Sequence, residues 1–109
     1  MAHRQVLALS PNTTADQWNT LAWEYVKAGK GKDGLDLARK AADLSGRRNY
    51  HVLDTLAHAE YEAEHWPEAV LAWEQLLAIN PKYFATASDP LCQQDAAKLA
   101  EARRRAALR

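Results

Sequence analysis

Three short stretches of this chain superimpose when it is laid along itself: Val6-Leu7-Ala8-Leu9-Ser10-Pro11, Ala41-Ala42-Asp43-Leu44-Ser45-Gly46 and Leu76-Leu77-Ala78-Ile79-Asn80-Pro81. Pro11 to Gly46 is 35 positions, and Gly46 to Pro81 is 35 again. Each stretch reads as the last turn of an amphipathic helix followed by a breaker. A fixed period of this length marks an array of units that cannot bury their apolar faces alone and must stack on their neighbours.

Two helical patterns fill each period. The first unit has Trp18, Leu21, Ala22 and Tyr25 at helical spacing, then Gly29 and Gly31, then Leu35, Ala38, Ala41 and Ala42. The second has Leu53, Leu56, Ala57 and Tyr61, then Trp66-Pro67, then Ala69, Val70, Trp73, Leu76 and Leu77. Thr14 and Gln17 have the spacing of a capping box that starts the first helix. Pro67 suits a first helical turn, where its missing N–H is no loss, and Glu68 beside it complements the helix dipole. Small residues at Ala22 and Ala57 let the second helix of each pair come close. A larger side chain there would overpack the contact at a cost of about 1–3 kcal/mol.

Trp18-x2-Leu21-Ala22-x2-Tyr25 resembles the first-helix signature of the tetratricopeptide repeat, with Ala22 in place of the usual small Gly. Asp54-Thr55-Leu56-Ala57, followed by Pro67-Glu68-Ala69-Val70 and Ile79-Asn80-Pro81, is similar to repeats of this family common in bacterial proteins. The resemblance covers residues 12–81 and implies an all-α, right-handed solenoid of antiparallel helix pairs, one unit over 12–46 and the next over 47–81. Departures are Gly34 where Ala69 stands in the second unit, Glu64 where Gly29 stands, and Gly46 in place of a closing Pro. These are expected to weaken local packing without changing the fold.

The two ends extend the same register. Residues 3–11 match the close of a second helix with no first helix before it, as a C-terminal fragment of a longer repeat protein would show. Leu91-Cys92 falls where Leu21-Ala22 and Leu56-Ala57 sit. Asp89-Pro90 is expected to start a capping helix over 89–108, with Gln93, Gln94, Lys98, Glu101, Arg103, Arg104 and Arg105 on its outer face and Lys82 to Ser88 as a connecting loop. The whole chain then reads as one domain.

In the family the first helix of each pair lines a concave binding face. The positions of this chain that match it are Asn19, Trp23 and Lys27 in the first unit and Asp54, His58 and Glu62 in the second, with His51 and Tyr61 at the margin. The resemblance thus implies a module that holds a peptide or partner protein. Trp23 is the leading contact residue, a role open to the alternative that it packs on the next helix. The family's carboxylate-binding version of the groove fits poorly, because Trp23, Asp54 and His58 interrupt its pattern. From Asn49 to Pro81 the chain carries Asp54, Glu60, Glu62, Glu64, Glu68 and Glu74 and no Lys or Arg. These read either as solvated faces or as an acidic groove that steers basic peptides. Self-association through the N-terminal half-repeat is a second reading.

Lys plus Arg and Asp plus Glu are balanced at 14 each, so no global field points to nucleic acid or a membrane surface. The N-terminus lacks a signal-peptide core and no apolar run reaches membrane-spanning length, so the chain reads as soluble, with the cytoplasm favoured. No phosphate loop, nucleophile elbow or His-Glu-x-x-His helix occurs, and neither an enzyme nor a cofactor is expected. Gly29-Lys30-Gly31-Lys32 is turn chemistry. Cys92, the single cysteine, takes a small packing position. His51, His58 and His65 recur every seven residues, a rise of about 10.5 Å on a helix, too far for two to share one metal. They read as surface histidines, with a metal- or ligand-binding regulatory domain as the alternative from another class.

Overall fold

The computed structural model describes residues 14–108, whose regular structure is all helical, with no strand among them. The half-repeat expected over residues 3–11 lies outside the described residues. Helix α1 spans Ala15–Lys27, α2 Leu35–Leu44, α3 Tyr50–Glu62 and α4 Trp66–Ile79. A short helix α5, Tyr83–Thr86, and a 3-10 turn, Cys92–Gln94, lead into α6, Asp95–Ala107. None of these helices is long and apolar enough to cross a membrane.

Local chemistry starts and stops each element. The capping box at α1 is complete: the Gln17 N–H donates to Thr14 Oγ1 at 3.2 Å, and the Thr14 N–H donates to Gln17 Oε1 at 2.8 Å. Asn49 caps α3 by accepting the His51 and Val52 N–H groups, and Pro67 lies in the first turn of α4. Helices α1 and α3 both end in a Schellman motif. The Lys30 N–H reaches back to the Tyr25 carbonyl, and the His65 N–H to that of Glu60. The residue that turns the chain is left-handed in both, Gly29 at φ 74° and Glu64 at φ 62°. The 35-residue offset therefore holds down to single turns, Gly29 and Glu64 being equivalent.

Packing follows the order of the chain. Helix α1 lies against α2 and α3, α2 against α3, α3 against α4, and α4 against α6. Ala22 and Ala57 are fully buried, with Ala38, Ala69, Ala72, Leu53, Leu76 and Trp73. Side-chain ties join the successive pairs. Glu62 accepts the Gly31 N–H at 2.8 Å, Arg39 bonds the buried Glu60, and the Arg47 Nε–H donates to Gln75 at 2.8 Å.

Three local expectations need correction. Gly34 does not loosen the first unit: a Cβ there would stand 2.7 Å from the Cβ of Tyr25, so the missing side chain is what lets α1 and α2 close. The stretch from Lys82 to Ser88 is not simply a loop, because Tyr83 buries its ring and folds one helical turn around it. The last long helix starts at Asp95 rather than at Asp89-Pro90. Asp89 instead caps a tight turn by accepting the Leu91 N–H at 2.8 Å, and the 3-10 geometry that follows eclipses side chains three apart. That brings Cys92 and Asp95 onto the same side, facing α3.

Candidate functional site

A cleft of about 450 Å³ opens where α1, α3, α5 and the 3-10 turn meet. Helix α1 contributes Asn19 and Trp23, and α3 contributes Tyr50, His51, Asp54 and Thr55. Asn80, Tyr83, Asp89 and Cys92 complete it from the C-terminal side. Asn19, Asp54 and Asp89 stand 35 residues apart in the sequence; the first two hold matching places on α1 and α3, Asp89 lies in the turn before the 3-10 segment, and all three line the same cleft.

Beneath the cleft lies a buried polar cluster. Asp54 Oδ1 accepts the Trp73 indole N–H at 3.0 Å, while its Oδ2 accepts the Tyr83 hydroxyl at 3.2 Å and the Cys92 thiol at 3.1 Å. His58 is sealed from solvent between Trp23 and Trp73, whose rings meet it edge-on with centroids 5.5 Å away on both sides. The Lys98 ammonium stands 3.4 Å from His58 Nδ1, which makes that nitrogen the acceptor and leaves Nε2–H to donate to Asp95 Oδ1 at 2.6 Å.

Burial sets the protonation of this cluster. Loss of hydration pushes Asp54 up to about 7 and Asp95 up to about 6, and holds His58 below the usual imidazole value. Asp95 Oδ2 has no hydrogen-bond partner among the described residues. Burial also raises the Tyr83 hydroxyl and pushes the Cys92 thiol up to about 12. Cys92 is therefore a hydrogen-bond donor rather than a thiolate nucleophile.

Asp54, His58 and Asp95 each offer one ligand atom within 4.8 Å of the others, a spacing that a divalent cation spans. In the arrangement present, His58 Nε2 carries its proton toward Asp95 and Lys98 stands behind the imidazole. A metal would have to displace that bond and face the ammonium charge. The cluster is best described as an internal network holding α3, α4 and α6 together.

The residues expected on the concave face divide accordingly. Asn19, Trp23 and Asp54 line the cleft, Asp54 as its nearly sealed floor. Trp23 packs on the next helix, its ring against His58, and also lines the cleft. His58 is not a surface residue; it is fully buried. Tyr61 packs edge-on against Trp66 and Trp73, under the Lys98 ammonium. Glu62 clamps the Gly31 turn, and Lys27 pairs with its helix neighbour Glu24 at 2.9 Å. None of these last four lines the cleft.

The three histidines do not act as one stripe: His51 faces the cleft, His58 is internal, and His65 bonds Glu60 at 2.8 Å. Glu60, Glu62 and Glu74 are each bonded to a neighbouring element and Asp54 lies in the buried cluster, so these four acids do not form a common acidic groove. Tyr50, Tyr83, Asp89, Asp95 and Lys98 were not anticipated. Asp89 had a signal, since it repeats Asp54 one period on; Tyr50, Tyr83, Asp95 and Lys98 had none. No family model, curated protein or solved structure matches the chain.

Proposed function

We propose that this chain is a tetratricopeptide-like interaction module that holds an extended segment of a partner protein in the cleft between its first helices. The observation that carries the reading is the cleft itself: about 450 Å³, walled by Trp23 and met by equivalent side chains of successive units. The solenoid reading rests on the offset between α1 and α3, which start at Ala15 and Tyr50, and on their matching Schellman ends. A half-exposed tryptophan beside polar acceptors is the composition that concentrates binding energy at protein interfaces.

A peptide-array screen with wild type and Trp23→Ala in parallel tests it, with the fold of both checked by circular dichroism. Peptides that bind wild type are expected to lose about tenfold or more with Trp23→Ala, the loss of a hot-spot side chain. Undiminished binding by a folded Trp23→Ala protein would place the interface elsewhere.

A further inference from the structure

The chemistry of the cleft narrows what it can hold. Among the described residues its lining contains no Lys or Arg. Asp54 forms the floor, and Asp89 stands at the half-buried edge with one oxygen on the Leu91 N–H. Asn19 Oδ1 is buried and has no hydrogen-bond partner. Such an atom loses its hydration without recovering a bond, a cost that a donor from outside would remove. Around these acceptors stand the rings of Trp23, Tyr50 and Tyr83, whose π faces attract a cation.

An anionic group entering here would meet Asp89 with no basic side chain among the described lining residues to balance it, and an apolar one would leave Asn19 Oδ1 unpaired. The Lys98 ammonium is committed to His58 and Tyr61 behind the wall. A donor-rich cation satisfies what the cleft presents. Its N–H groups can serve Asn19 and Asp89 while its face or methylenes lie on the aromatic rings.

We infer that the cleft is a receptor for a basic side chain, the guanidinium or ammonium of an arginine or lysine in the bound segment, held by Asn19 and Asp89 against Trp23, Tyr50 and Tyr83. This inference rests on the peptide-binding reading and names its ligand class. It places the acidic preference at Asp89 rather than along the run of acids in the second unit.

The test uses blocked five-residue peptides that differ only at the central position: arginine, lysine, glutamine or glutamate. Each is titrated to millimolar concentration into isotopically labelled protein and followed by NMR. The arginine and lysine peptides are expected to shift the Trp23 indole and Asn19 amide signals, with affinity falling as salt rises. The glutamate peptide should leave these signals in place, and the glutamine peptide should bind at least about fivefold more weakly than arginine. Asp89→Asn, which keeps the acceptor for Leu91, should weaken the arginine peptide by about three- to tenfold. Asp36→Asn, on the exposed side of α2, should not.

Equal binding of glutamine and arginine peptides, or an arginine affinity untouched by Asp89→Asn, would overturn the assignment of a cation and leave the peptide groove standing. If no peptide of any charge moves the Asn19 and Trp23 signals, the groove reading falls with it.

Discussion

Glu64 sits in a backbone conformation that side-chain-bearing residues seldom adopt, at φ 62°. Its counterpart one period earlier is Gly29, at φ 74°. A left-handed residue with a Cβ costs roughly 1–2 kcal/mol, partly offset because glycine loses more entropy on folding. The Schellman bonds of Glu64 and His65 are backbone bonds, so a change of side chain leaves them intact. Glu64→Gly is therefore expected to raise stability by about 0.5–1 kcal/mol, visible as an increase in the midpoint of thermal unfolding. A lower midpoint would mean that the Glu64 side chain supports the turn in some way beyond the backbone bonds.

Between elements, contact distance decides more than propensity does. The α1–α2 hairpin closes because Gly34 has no side chain to set against Tyr25. The α3–α4 hairpin has Ala69 at the equivalent position, fully buried. The two units thus reach the same pairing with different spacings at the contact. Gly34→Ala is expected to destabilise by about 1–3 kcal/mol, as overpacking does in a filled core, and urea unfolding would measure it. Full stability of the variant would show that α2 can shift away without loss. The C-terminal region is governed by the same kind of contact. There a 3-10 turn replaces the start of a longer helix, because Cys92 and Asp95 both serve α3.

For the molecule as a whole, the buried cluster couples folding to pH. The carboxyls of Asp54 and Asp95 have folded values above the usual one. Their contribution to stability is full below about pH 4, the ordinary value for an aspartate, and is lost as pH rises through about 6 to 7. His58 has a lowered folded value, so its contribution is present above the ordinary imidazole value and is lost as pH falls through the depressed one. The two effects oppose each other, and removing one acid exposes its share. Asp54→Asn keeps an oxygen for Trp73 but cannot ionise. Its stability relative to wild type should rise with pH between about 4 and 7, by no more than about 1.4 kcal/mol per pH unit, and level off above. Chemical unfolding of both proteins across that range provides the comparison. A constant difference would mean that Asp54 is not held protonated by the fold.

The helices themselves were legible in the chain. Apolar spacing, the Thr14–Gln17 box, Pro67 and the 35-residue period are local signals, written in side-chain chemistry a few residues apart. Half of the cleft was legible too, because Asn19, Trp23 and Asp54 follow from the period and from the helix face. Which polar residues stay at the surface was not. Asp54 and His58 share a face with Asn19 and Trp23 by register, yet α6 folds over that face and converts His58 into a buried partner of Asp95, 37 positions away. The repeat is a property of the sequence, since helix period and turn chemistry act locally. The line between cleft and core is a property of the tertiary structure, because it depends on which distant elements cover a given face and on the desolvation that their packing imposes.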